Sequence, residues 1–163
     1  MDSKTPQSDA FWRAYTSHAG IGPVNYEVVS FGDSPEMANE LAELVVAGTK
    51  RATASLARYY AQAPDTLPKS GDYVVLVDGD GVPCAIWRTT EVTVKPLITV
   101  DDRFAWDEGE GDRSRAFWLD AHRAFFGAQA AEDSFDMHDQ IDTVFERFEI
   151  VWPPAIADVP SLP

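Results

Sequence analysis

Cysteine is almost absent from this sequence: Cys84 stands alone among 163 residues, so no internal disulfide can staple the fold, and a reducing compartment is the default. Its surroundings, Val82-Pro83 and Ala85-Ile86-Trp87, read as a buried strand, where a thiol fills space rather than reacts. Long apolar runs are also missing. None approaches about 18 residues, so no membrane-spanning helix is expected, and the first residues lack the basic-then-apolar order of a secretory leader. The expectation is a cytoplasmic protein. Histidine is scarce: His18, His122 and His138 lie far apart and, with one cysteine, give no zinc spacing. Walker-type and GxGxxG loops are lacking, and Asp78-Gly79-Asp80-Gly81 has none of the later ligands of a calcium loop. No metal or cofactor is expected.

Positive charge is the largest deficit. Thirteen Lys and Arg face 27 Asp and Glu, a net charge of −14. Polyanions are held mainly by Lys and Arg neutralising phosphates, and here the bases are scattered through an acidic field. This argues against an extended nonspecific RNA-binding surface, and no DNA partner is expected. A locally basic cleft for a nucleoside, nucleotide or short RNA stays open. What the chain does have is aromatic mass: five Trp, nine Phe and five Tyr, enough to anchor the single core of one domain of this length.

Local signals divide the chain. Residues 8–18 read as a helix burying Phe11, Trp12 and Tyr15, and 26–31 as a short strand broken by Gly32-Asp33. Residues 35–47 form the clearest helix, with Ser34 as cap, Pro35 in its first position and Gly48 just past its end. Met37, Leu41, Leu44 and Val45 make its apolar stripe. A polar connector, GTKRATAS, leads to a short helix over 56–62. Tyr73–Val77 and 83–94 are β-rich around the turn at 78–81. Residues 101–112 read as an acidic loop of six acids and one Arg; Asp112 suits as cap of a helix over 113–126 that Gly127 would end. Residues 143–152 alternate as a closing strand, and the proline-rich tail reads as loose. Strands separated by helices without regular βα alternation indicate an α+β fold. The expected organisation is a helical extension over 1–25, a domain over 26–153 and a tail over 154–163.

Four constellations carry possible chemistry, each with a plainer alternative. Gly48-x-Lys50-x-x-Thr53-x-Ser55 follows a helix end. In a turn, Lys50 and Thr53 can converge as a base and nucleophile, or else Lys50 is solvated and Thr53 or Ser55 caps the next helix. Glu108 and Glu110, on a Gly-flexed loop, can orient a lysine or exchange protons; acids also gather at helix starts simply because of the dipole. Ser114, Trp118, His122 and Phe125 share one helix face, which suits base stacking or core packing, and Ser114 in the first turn could help hold an anion. Glu91 faces either solvent or the inside of a barrel opposite Lys50. Glu146-Arg147 reads as an ordinary cross-strand or solvated pair.

Taken in order, GTKRATAS after a capped helix, the hairpin LPKSGDYVVLVDGDGVPCAIWRTTEVTV, then EGEGDRSRAFWLDAHRAFF and ERFEIVWP resemble the ASCH domain family, and within it the bacterial stand-alone branch. The resemblance runs from about Phe31 to Pro153. It implies a PUA-like mixed β-barrel of about five to six strands with flanking helices, in a family associated with RNA. Small members resemble amidohydrolases that remove the acyl group from acylated cytidine, using a Lys, a Thr three residues later and a Glu of the acidic loop. Lys50 and Thr53 match the first two; Glu108 matches the third, with Glu110 the near alternative. Another member resembles a metal-independent ribonuclease, which implies Lys50 and Ser114. Arg51, Ser55, Glu91, Glu110, Ser114, Trp118 and His122 complete the expected substrate-binding set. The implied partner is a modified nucleoside or short RNA, bound with or without turnover.

Overall fold

The computed structural model describes residues 3–159. Caps set the helix boundaries. Thr5 accepts the Ser8 N–H while the Ser8 hydroxyl accepts the Thr5 N–H, a reciprocal box that opens helix α1 (Pro6–Ala19) ahead of the expected start. Ser34 accepts the Met37 N–H and opens α2 (Pro35–Val46). The buried line of α2 is Ala38, Ala42 and Val45, with Met37, Leu41 and Leu44 half-buried beside it. Small residues let this helix lie close to the sheet.

Among the described residues, five strands form one mixed sheet in the order β1-β3-β4-β5-β2: β1 (Glu27–Val29), β2 (Ala52–Leu56), β3 (Tyr73–Val77), β4 (Pro83–Pro96) and β5 (Asp142–Trp152). Only β1 and β3 run parallel; the other pairings are antiparallel. Register shifts at Ile86/Trp87 and Thr89/Glu91 bend β4 along β5, as bulges do, and the sheet curls into a half-barrel. The alternation of β3 divides its apolar run between two layers. Val74 and Leu76 join Phe31, Val45, Trp87 and Phe148 under α2, whereas Val75 and Val77 join Trp12, Tyr15 and Ile86 under α1. A third cluster, Phe104, Trp118, Phe126 and Phe145, packs α3 (Asp102–Glu108) and α4 (Arg115–Asp133) against β5 and β2.

Several boundaries differ from the sequence expectation, each for a local reason. The supposed connector contains β2, because Ala52–Leu56 finds a full antiparallel partner in Thr143–Arg147. The expected helix over 56–62 is reduced to a 3-10 turn, Ala57–Tyr60, with a second at Pro64–Thr66. The acidic loop is half helix: Asp101 caps α3 through the Phe104 N–H. Ser114, not Asp112, caps α4, which runs through Gly127 to Asp133 because the chain turns left-handed only at Ser134, at φ 58°. Strand β1 is shorter than expected, while β4 and β5 extend slightly further. The tail is docked as far as Asp158, whose carboxylate accepts the Ile150 N–H at 2.8 Å; residues 160–163 of the tail lie outside the described residues. Among the described residues, no helix is long and apolar enough to cross a membrane.

Candidate active site

The end of α2 and the end of α3 are tied together at Lys50. After α2, the N–H groups of Thr49 and Lys50 both donate to the Leu44 carbonyl, and the Arg51 N–H donates to the Asp107 carbonyl at 2.7 Å. Gly48 turns the chain with φ 88°, a conformation that costs glycine little. The Lys50 side chain then runs inward. Its Nζ donates to the Ala52 carbonyl at 2.8 Å and to Glu108 Oε2 at 2.7 Å, with the Phe31 ring centre 5.0 Å away. Lys50 and Glu108 are each 1% exposed.

Glu108 ends α3 and Gly109, left-handed at φ 75°, caps it. The turn places Glu110 with an oxygen 3.9 Å from Lys50 Nζ. From α4, His122 stacks on Trp118 at 3.8 Å between ring centres and sets Nδ1 2.8 Å from the Trp118 carbonyl. A carbonyl only accepts, so Nδ1 carries hydrogen and Nε2 faces Glu108 Oε1 at 3.4 Å.

The charges in this cluster are interlocked. Burial alone would raise Glu108, but the Lys50 ammonium, followed by His122, outweighs it and holds the carboxyl well below the usual range. Burial pushes Glu110 up to about 7, helped by its hydrogen bond and charge repulsion with Glu108 and opposed by Lys50. Burial would lower His122, but the facing Glu108 carboxylate overcomes that and leaves it raised. Glu108 is therefore favoured as the anion, and Glu110 is held back from ionising. Glu108, Glu110 and His122 offer ligand atoms within 4.8 Å of one another, a donor set able to hold a divalent ion. Lys50 already supplies counter-charge to the same carboxylate.

These four residues and Thr53 line a cavity of about 130 Å³, walled by Phe31 and Phe125 among others. A larger depression of about 470 Å³ at the start of α2 includes neither Lys50 nor another residue of this ionisable cluster. Of the residues expected from sequence, Lys50, Thr53, Glu108, Glu110 and His122 thus converge, with Trp118 buried behind His122. Lys50 gives its hydrogen bonds to Ala52 and Glu108 rather than to Thr53, which shares the cavity wall.

The others lie elsewhere. Arg51 turns away to the Val45 carbonyl and Asp158. Ser55 hydrogen-bonds Tyr60 at 2.9 Å. Ser114 spends its hydroxyl on the Phe117 N–H. The Glu91 side chain is 64% exposed beside Arg147, on the face away from Lys50.

Sequence reasoning missed Glu146. It is 7% exposed, and Thr89 and Trp87, rather than Arg147, are its partners. The signal was present, since Glu146 shares strand parity with Phe148 and Ile150.

Comparisons with other proteins identify the family and the fold. Residues 27–152 match the ASCH domain family. An ASCH domain from Lactobacillus crispatus is 30% identical with a TM-score of 0.83, over 93% of this chain and 98% of that one. A protein from Enterococcus faecalis V583 is 34% identical with a TM-score of 0.80, over 87% and 86%. No curated protein matches the sequence. With a matched segment covering most of its length and the same curled half-barrel, this chain belongs to the ASCH domain family.

Proposed function

We propose that this protein is an amidohydrolase that removes an acyl group from the exocyclic amine of a cytidine-type nucleoside. The observation that carries the reading is the buried Lys50–Glu108 pair, 2.7 Å apart, in a cavity with Thr53 on its wall. A buried lysine held by a carboxylate beside a hydroxyl supplies the parts of lysine-assisted nucleophilic catalysis, with the lysine acting as base once its ammonium has given up a proton.

In this mechanism Lys50 passes a proton to Glu110, whose pKa of about 7 suits exchange at neutral pH. The freed amine takes the Thr53 proton as Thr53 Oγ bonds to the acyl carbon. Lys50 then delivers that proton to the leaving nitrogen as the C–N bond breaks. Water cleaves the resulting Thr53 ester, releasing the acid and restoring the hydroxyl. Glu108 holds Lys50 in place throughout. A neutral nucleoside suits a chain of net charge −14 better than a polyanion does. The ribonuclease alternative loses ground because Ser114 caps α4 instead of lining the cavity.

The test is mass spectrometry of acylated nucleosides incubated with purified wild type, Lys50→Ala and Thr53→Val. Turnover by the wild type alone is expected. Undiminished deacylation by Lys50→Ala would overturn the reading.

A further inference from the structure

Only one oxygen of Glu108 is held by the fold. Lys50 Nζ donates to Oε2 at 2.7 Å, whereas Oε1 is buried and takes no hydrogen bond among the described residues. His122 Nε2 faces that oxygen at 3.4 Å. Nδ1 of the same ring already carries hydrogen towards the Trp118 carbonyl at 2.8 Å, so the neutral ring turns the lone pair of Nε2 on Oε1. A protonated Nε2 would close the contact to about 2.7–2.9 Å, as charge-assisted hydrogen bonds do. Two acceptors facing each other in a buried place are costly, and a cation between them removes the cost.

The spacing fits such a cation. Zinc bonds imidazole nitrogen at about 2.0–2.1 Å and carboxylate oxygen at about 2.0–2.2 Å in a tetrahedral array, which puts two of its ligand atoms about 3.3–3.5 Å apart. The 3.4 Å between Nε2 and Oε1 falls within that span. Gly109, at φ 75°, turns Glu110 back on Glu108, and the three ligand atoms lie within 4.8 Å of one another. Each buried ligand also has an outer partner, Lys50 for Glu108 and the Trp118 carbonyl for His122. Hydrogen bonds of this kind orient metal ligands and fix the histidine tautomer. The Glu110 side chain is 24% exposed, which leaves a way in. All three residues line the cavity that Thr53 also walls. One imidazole with two carboxylates suits zinc and its first-row neighbours better than magnesium or calcium, which take oxygen ligands.

We propose that Glu108 Oε1, Glu110 and His122 Nε2 form a three-ligand site for a zinc ion, with the fourth position open to the cavity, and that zinc seated there switches the Lys50 chemistry off. The site itself depends on no reaction. The switch rests on the amidohydrolase reading: Glu110 is the proton acceptor of that mechanism, and a carboxylate bonded to a dication is a poor one. The ion and its fourth ligand also take up space beside Thr53.

The experiment is calorimetric titration of the metal-free, full-length chain with zinc chloride, and separately with magnesium and calcium chloride. Wild type is expected to bind one zinc per chain and neither of the other ions. His122→Gln and Glu110→Gln should each weaken zinc binding at least about tenfold, and zinc should raise the Tm of wild type more than that of either variant. The two variants come from different elements, so one poorly folded protein does not leave the question open. Absence of zinc binding by wild type overturns the site. So does undiminished binding by both variants, as the exposed His18 and His138 would give. For the switch, turnover of acetylcytidine should fall as zinc saturates the chain and return when a chelator removes it; undiminished turnover at saturating zinc overturns it. The two readings fail separately. Zinc binding by a chain that never deacylates acetylcytidine sinks the amidohydrolase, and the switch with it, but leaves the site. Turnover by a chain that binds no zinc sinks the site alone.

Discussion

Lys50 and Glu108 stand 58 positions apart in sequence, yet their side chains meet at 2.7 Å with almost no exposure. The contact joins the loop after α2 to the end of α3, so it is structural as well as chemical. Removing one partner strands the other charge in a dry site, which costs about 3–5 kcal/mol. Lys50→Met and Glu108→Leu are each expected to lose about 3 kcal/mol or more, and the double variant to lose clearly less than the sum. A double-mutant cycle by urea unfolding checks this. Strictly additive losses would show that the pair is not coupled.

Glu110 gives the site a pH signature. It ionises near 4.5 in its unperturbed state but at about 7 in the fold. Between those values the unfolded chain binds fewer protons than the native one, so the Glu110 contribution to stability is complete below about 4.5 and is lost as pH rises through 7. Glu110→Gln cannot ionise and escapes that loss. Relative to wild type it should gain stability between pH 5 and pH 8, by at most about 3 kcal/mol. Chemical unfolding at several pH values measures the difference, and a difference that does not change with pH would refute the assignment.

How much of this was legible in the sequence depends on how local each signal is. The caps at Ser34 and the turn at 78–81 could be read directly, because a cap or turn is decided within four residues. Strand β2 was not, since Ala-Thr-Ala-Ser has no strong local preference and becomes a strand only when β5 pairs with it. The Lys50, Thr53 and Glu108 grouping came from resemblance; spacing alone left Lys50 an ordinary lysine. Glu91 misled because the Thr89/Glu91 register shift moves its side chain to the exposed edge. Glu146 was overlooked because a charged pair on a strand is usually solvated, and only the register with Thr53 reveals its face.

Asp158 turns the segment that follows β5 into a strut. Its carboxylate takes Arg51 Nε at 2.9 Å and Arg51 Nη2 at 3.0 Å, together with the Ile150 N–H at 2.8 Å. Arg51 adjoins Lys50, so the strut steadies the segment that presents the site. A two-point arginine–carboxylate contact with a backbone donor is worth about 1–2 kcal/mol when partly exposed. Asp158→Ala should lower stability by that amount and make the segment after Pro153 more readily cleaved in limited proteolysis. An unchanged cleavage pattern would mean that the tail is held by other contacts.

Gly109 links backbone geometry to chemistry. Its φ is 75°, and a Cβ there would lie 2.5 Å from the Thr49 carbonyl oxygen. Alanine would meet both a left-handed penalty of about 1–2 kcal/mol and a backbone clash that forces the end of α3 away from Thr49. Glu108 immediately precedes the displaced residue and Lys50 follows Thr49, so the carboxylate and the ammonium should separate. A shift of about 1 Å in a reacting group can cost roughly 100-fold in rate. Gly109→Ala is therefore expected to lose about 2 kcal/mol or more of stability and about 100-fold in kcat/KM for deacylation. Gly127→Ala is the matched control: it lies inside α4 with nothing within 4 Å of the new Cβ, so it should gain about 0.5–1 kcal/mol and leave turnover unchanged. If Gly109→Ala kept wild-type kcat/KM while losing stability, the close approach of α3 to Thr49 would hold up the fold without setting the catalytic geometry.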